Sequence, residues 1–264
     1  MNIFITGASS GIGEALAVRL ASPGRTLGLA ARRASELERV ALRCRERGAA
    51  VSTFPLDVRD AQAVHDAGRA FLAEAGRVDA VVANAGVSRR DPDDRTDSEQ
   101  SREVIETNLL GVIHTFEPFM AEMERAGAGS LVAISSVAGF RGLPNAGAYS
   151  ASKAAVNTWM ESLRVRLRGR VHVMTVCPGF VDTPMTASNR FRMPWLLTAD
   201  DAAARIERGM ARRTRVLVFP APMRWLMTCL RLIPSAWYEP VASWALRRNS
   251  DLLKKSDADP DPRS

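Results

Sequence analysis

Over roughly its first 180 residues the chain alternates short apolar runs with longer amphipathic stretches. The runs Asn2–Thr6, Thr26–Ala30, Val51–Pro55, Ala80–Ala83, Ser130–Ser135 and His172–Cys177 predict strands, and Arg215–Phe219 predicts a last one. Between them, Gly13–Ala21, Ala34–Arg47, Ala61–Ala75, Ser98–Arg125 and Tyr149–Arg168 carry the spacing of helices with one apolar face. Strand-helix-strand alternation at this spacing predicts an α/β fold. The expected architecture is a Rossmann-type, doubly wound parallel sheet of about seven strands, with helices on both faces. Strands covered on both faces also explain why the runs are continuously apolar instead of alternating.

The same pattern predicts one α/β domain over residues 1–220, an amphipathic helical extension over 221–253 and a polar, flexible tail over 254–264. The composition, 46% apolar and 25% charged, is that of an ordinary globular chain. Net charge is +7, and its position is informative: Ala202 to Ser250 holds nine arginines against Glu207 and Glu239, while the remainder is balanced. A local excess points to a local anionic neighbour or surface, and nucleic acid is not expected because no binding motif accompanies the arginines. Cys44, Cys177 and Cys229 lie far apart without a C-x-x-C, and His65, His114 and His172 share no ligand spacing, so neither a disulfide framework nor a metal site is expected. The start shows no secretory pattern and no apolar run reaches membrane-spanning length, which makes the cytoplasm the expected compartment.

The residues with special chemistry follow the predicted strands, where open α/β sheets bind ligands. The first strand enters Gly7-Ala8-Ser9-Ser10-Gly11-Ile12-Gly13 and then a helix. Glycines there let the backbone approach a pyrophosphate, whose charge is met by the helix N-terminus. At the end of the second strand an acidic residue would hold an adenosine ribose diol, but this chain has Ala31, Arg32 and Arg33. Two guanidinium forks suit a 2′-phosphate, so NADP(H) is expected over NAD(H). Leu56-Asp57-Val58 can set the Asp57 carboxylate against the adenine amino group, and Asn84-Ala85-Gly86 offers a turn beside the adenosine ribose.

Tyr149 and Lys153 are four apart on one predicted helix and therefore project from the same face. A nearby ammonium and a positively charged nicotinamide ring both favour the phenolate, which suits Tyr149 to acid/base work near neutral pH. Ser136, thirteen residues upstream, can hold the substrate oxygen, with Ser135 as its rival.

With these motifs assembled, the chain resembles the short-chain dehydrogenase/reductase family, in its single-domain branch of roughly 250 residues. The resemblance covers about residues 1–220 and rests on TGASSGIG, LDV, ANAG, Asn108 in ETNLLG, ISS, YSASK and PGFVDT, in that order. It implies hydride transfer between a nicotinamide and a carbonyl or secondary alcohol. Asn108, Ser136, Tyr149 and Lys153 would be catalytic, with Ser136 and Tyr149 contacting substrate, and the family spacing selects Ser136 over Ser135. Asn108 would hold a water linking Lys153 to solvent. Pro178, Gly179, Val181 and Thr183 would border the nicotinamide. The family often has Asn before Asn84, where this chain has Ala83.

The chain runs on beyond the last predicted strand. Pro222 is placed to open a helix. Over Met223–Ile233, Arg224, Thr228 and Arg231 form a polar stripe beside a wide apolar face, and a second piece carries Trp237, Tyr238, Val241, Trp244 and Leu246 before Arg247-Arg248. Three roles fit: packing over the domain or across a homodimer or homotetramer interface, peripheral membrane contact through 221–248, or a lid over the substrate cleft joined by Met185 and the loop from Phe191 to Leu197. The last two imply a lipophilic substrate. Two further readings remain: a 3-oxoacyl carrier-protein reductase docking its acidic carrier near Arg205–Arg215, and a non-catalytic NADPH-binding sensor or scaffold.

Overall fold

The computed structural model describes residues 1–89, 97–187, 189, 193–240 and 242–243. One parallel sheet organises them, in the order β3-β2-β1-β4-β5-β6-β7. Its strands are β1 (Asn2–Thr6), β2 (Thr26–Ala31), β3 (Ala50–Pro55), β4 (Ala80–Ala83), β5 (Ser130–Ile134), β6 (His172–Pro178) and β7 (Val216–Phe219). Helices α1 (Gly11–Leu20), α2 (Ala34–Glu46) and α7 (Ala199–Ala211) cover one face. Helices α3 (Ala61–Ala75), α4 (Ser98–Ile105), α5 (Gly111–Ala126) and α6 (Gly147–Arg166) belong to the other. A further helix, α8 (Ala221–Leu232), leaves the carboxyl end of β7.

The strand pleat sends successive side chains to opposite cores. In β1, Ile3 and Ile5 enter the α1/α2/α7 core while Phe4 enters the α3/α5/α6 core. There the Phe4 ring lies 5.7 Å from that of Phe54, 5.6 Å from Phe71 and 5.1 Å from Phe119. Gly28 on the neighbouring strand makes room for this cluster, since a Cβ there would stand 2.7 Å from the Phe4 ring.

The chain turns outward from β1 to β2 and β3, then returns to the other side at β4, so the switch in strand order falls between β1 and β4. Asn84 ties that point together. Its Nδ2 donates to the Thr6 and Gly7 carbonyls at 3.2 and 3.0 Å, and its backbone N–H donates to Thr6 Oγ1 at 3.3 Å.

The helix expected over Ser98–Arg125 forms, with a π turn inside it. α4 and α5 are joined by a π turn at Glu106–Leu110, which brings Asn108 into the interior at full burial. Such turns recur at functional sites.

Candidate active site

A cleft runs along the carboxyl ends of the strands, from the glycine loop to Ser136, Tyr149 and Lys153. Its wall contains Gly7, Ser9, Ser10, Gly11, Ile12, Arg32, Arg33, Asp57, Val58, Asn84, Ala85, Gly86, Pro178, Gly179, Val181 and Thr183, which gathers the residues expected at a dinucleotide. Gly13 departs from that expectation. It does not line the cleft, and a Cβ there would stand 2.2 Å from the Gly7 carbonyl oxygen, so its role is close packing of α1 beneath the loop. Gly7 itself has φ +66°, and a side chain would meet the Ala85 backbone at 2.7 Å.

α1 opens at this loop without a side-chain cap. Asp60, Asp97 and Thr198 accept first-turn N–H groups of α3, α4 and α7, whereas α2, α6 and α8, like α1, open without a side-chain cap. Ser10, at the N-cap of α1, instead accepts from Arg33 Nη2 at 2.9 Å, and Ser9 Oγ accepts from the same nitrogen at 3.2 Å. An uncapped first turn with a guanidinium beside it is a combination suited to phosphate groups. A buried polar atom adds to the fit. Thr107 Oγ1, in the cleft wall, has no hydrogen-bond partner among the described residues.

The two arginines differ. Arg33 reaches the loop serines, whereas Arg32 stands 4.0 Å from an Asp57 oxygen. The Asp57 carboxylate is engaged by Arg59, which donates from its backbone N–H at 3.0 Å and from Nε and Nη2 at 3.0 and 2.7 Å. Burial alone would raise the Asp57 carboxyl, but the hydrogen bonds and charge of Arg59 hold it below its ordinary value. Its free reach toward an adenine amino group is therefore less than the sequence implies.

At the other end, Ser136 and Tyr149 both line the cleft, and Ser136 Oγ accepts from the Ala138 N–H at 3.1 Å. Burial pushes the Tyr149 phenol up and the Ser136 hydroxyl opposes that rise. In the free protein the Lys153 charge is not among the causes that act on this phenol. Lys153 Nζ lies 5.8 Å from the centre of the Tyr149 ring and donates to the Ile134 carbonyl at 3.0 Å. Burial lowers the Lys153 ammonium to about 8. The rival Ser135 is committed elsewhere, its hydroxyl donating to the Lys153 carbonyl at 3.1 Å.

Asn108 is anchored through its side chain. Its Oδ1 accepts from Val87 N–H at 2.8 Å, while Nδ2 donates to the Val87 carbonyl at 2.9 Å and to Ser152 Oγ at 3.1 Å. Both amide protons are thus used, and the side chain ties the π turn to the strand-end loop and to α6. Ser152 was not foreseen, and neither were Thr107 and Thr186. Thr186 Oγ1 donates to the Val181 carbonyl at 2.7 Å and accepts from Thr183 N–H at 3.1 Å, folding the loop that follows β6 along the cleft. The i, i+3 pair of threonines was the available signal.

α8 stands behind the substrate end. Met223 and Met227 are buried against Val137, next to Ser136, and against Cys177. Pro222 is the second residue of this helix, with Pro220 at its N-cap. The following segment straps the loop that joins Ser136 to Tyr149. Arg141 Nη2 donates to the Ile233 carbonyl at 2.9 Å, its guanidinium sits 4.5 Å over the Tyr238 ring, and the Tyr238 hydroxyl donates to the Gly142 carbonyl at 2.5 Å. Phe191, Val241, Trp244, Leu246, Arg247, Arg248 and the tail 254–264 lie outside the described residues.

Comparison with known proteins settles the family. The family model for short chain dehydrogenases matches residues 1–193. The chain belongs to the short-chain dehydrogenase/reductase family. An uncharacterized oxidoreductase from Myxococcus xanthus (strain DK1622) is 40% identical over 239 residues, covering 90% of this chain and 94% of that protein. Among solved structures, the alcohol dehydrogenase of the archaeon Thermococcus sibiricus, complexed with 5-hydroxy-NADP, is 33% identical with a TM-score of 0.74. That likeness covers 83% of this chain and 94% of the archaeal one. A short-chain dehydrogenase from Sphingobium yanoikuyae in complex with NADPH is 25% identical with a TM-score of 0.76, covering 100% of this chain and 98% of its own. As a member of this family the chain is an oxidoreductase acting on CH–OH or C=O groups.

Proposed function

We propose that this short-chain dehydrogenase uses NADP(H) to interconvert a carbonyl and a secondary alcohol on a hydrophobic small molecule, with Tyr149 as the acid/base. The observation that carries the reading is the single cleft that runs from the uncapped start of α1, with Arg33 beside it, to Ser136, Tyr149 and Lys153. Gly7 to Ile12 and the first turn of α1 would hold the pyrophosphate, and Arg33 with Ser9 and Ser10 the 2′-phosphate. Asp57, Val58 and Asn84 to Gly86 would flank the adenosine, and Pro178, Gly179, Val181 and Thr183 the nicotinamide. When bound, the cofactor supplies or accepts the hydride. In reduction Tyr149 gives its proton to the substrate oxygen while Ser136 steadies the developing alkoxide. Lys153, released from the Ile134 carbonyl, would hold the ribose hydroxyls and favour the phenolate left behind. Asn108 positions this group by joining Val87 to Ser152.

The hydrophobic substrate class is supported by the methionine wall of α8 behind Ser136 and by Met185 in the cleft. The carrier-protein reading loses its support. α7 runs back across the sheet, so Arg212, Arg213 and Arg215 lie at the amino edge, opposite the cleft. Assembly as a homodimer or homotetramer, and residence in the cytoplasm, complete the proposal; β7 ends the sheet and leaves an edge that a second copy can cover. The test is a panel of lipophilic ketones and alcohols with NADPH and NADP+, read by nicotinamide absorbance. Turnover with at least one ketone–alcohol pair is expected. Tight NADPH binding with no turnover across the panel would favour the sensor reading and overturn the enzymatic one.

A further inference from the structure

α8 has three stripes. Met223, Met227 and Leu230 pack on the body, and Arg224, Thr228 and Arg231 form the basic stripe. A third stripe is apolar and has no cover: Trp225 is 62% exposed, Leu226 44% and Leu232 79%. A helix that has already buried one apolar face has no folding reason to carry a second. The exposure continues into Trp237, 72% exposed, and onto the neighbouring segment, where Trp195 is 48% and Leu196 44% exposed. These segments leave the carboxyl ends of β6 and β7, adjacent strands of a parallel sheet, and so lie together at the substrate end of the cleft. Met185, in the cleft wall and itself exposed, connects the cleft to this rim.

The charge on α8 is of one sign, while Asp182, Asp200, Asp201 and Glu239 flank the rim. From Arg208 to Tyr238 the chain contains no Asp or Glu, and α8 carries only arginines as charged residues. The Arg224 guanidinium lies 5.1 Å over the Trp225 ring, so cation and indole share one surface. Two copies of this helix meeting about a twofold axis would set its arginines against each other with no carboxylate on it to pair them. Tryptophan rings that present an apolar body beside arginines with long apolar stems match instead the boundary layer of a bilayer, where rings sit at headgroup depth and guanidinium groups meet phosphate.

We propose that this face docks the protein on an anionic lipid surface, with the cleft mouth turned toward the headgroups. No helix among the described residues is long and apolar enough to cross a membrane, so the contact is peripheral. The docking stands on the surface itself; its use to admit a lipophilic substrate rests on the proposed catalytic reading.

The experiment is co-sedimentation of the full-length chain with vesicles of phosphatidylcholine alone and of phosphatidylcholine mixed with phosphatidylglycerol, at low and high salt. Binding to the mixed vesicles is expected, weakening with salt. Arg224→Gln with Arg231→Gln should lower that partition by about fivefold per arginine and leave phosphatidylcholine binding unchanged. Trp225→Ala with Trp237→Ala should lower partition on both vesicle types, with the melting temperature of each variant near that of the parent. Absence of binding to the mixed vesicles, or binding that neither pair alters, overturns the proposal. So does a parent dimer that the tryptophan pair splits into monomers without vesicles, since the occupant is then a second copy. Vesicle binding is read without turnover, so its failure is distinct from failure of the catalytic reading.

Discussion

Lys153 donates from its ammonium to the carbonyl of Ile134, the last residue of β5, at 3.0 Å. The charge is buried and held by a neutral acceptor, so the free protein keeps it at a cost that lowers its pKa to about 8.

Lys153→Met is expected to remove activity without loss of stability at neutral pH. The folded pKa, about 8, is below the ordinary 10.5. Below pH 8 both states are protonated and the folded state bears the whole burial cost. Between about pH 8 and 10.5 the folded state loses its proton first and the cost fades, so parental stability rises relative to the variant. Melting curves of both proteins across this range check the sign; a methionine variant that melts far lower than the parent at pH 7 contradicts it.

Ser136 is the group that opposes the upward shift of Tyr149. Ser136→Ala should slow turnover by roughly 10²- to 10³-fold. It should also move the Tyr149 limb of the alcohol-oxidation pH profile to higher pH, because oxidation needs the phenolate. A slower variant with an unmoved profile would mean that the serine acts on substrate alone.

Arg33, not Arg32, reaches the loop serines. Arg33→Ala should raise the NADPH KM by roughly 10- to 100-fold, the loss of charge-assisted hydrogen bonds, and leave the NADH KM nearly unchanged. Equal losses with both cofactors would show that the guanidinium shapes the loop instead of reading the phosphate.

Thr107 carries an unpartnered, buried hydroxyl in the cleft wall. Thr107→Val keeps the shape and removes the hydroxyl. It should weaken NADPH binding by about 5- to 10-fold, the value of one net hydrogen bond, with Thr107→Ser restoring it. Quenching of protein fluorescence by NADPH measures both.

Much of this was written in the sequence, because each element obeys a local rule. Asn2–Thr6, Ala61–Ala75 and Ala80–Ala83 have the limits expected from apolar runs and helical spacing. The cleft residues were legible because the glycine loop, Arg33, Ser136 and Tyr149 each follow or adjoin a strand end. What stayed hidden depends on partners distant in sequence. The π turn at Glu106–Leu110 sends Asn108 to Val87 and Ser152, contacts no local pattern announces. α7 buries Ala202, Ala203, Ile206 and Gly209, small side chains that give a weak apolar signal. In α8 the apolar width was visible, but its division into a docked and an outward face depends on Val137 and Cys177.

The central claim is that Tyr149 transfers the proton, and Tyr149→Phe tests it most directly. NADPH affinity by fluorescence titration and turnover on the best ketone of the panel are measured on the same preparation. The account predicts unchanged affinity with turnover lower by roughly 10²- to 10⁴-fold. A phenylalanine variant that reduces the ketone at the parental rate would contradict it.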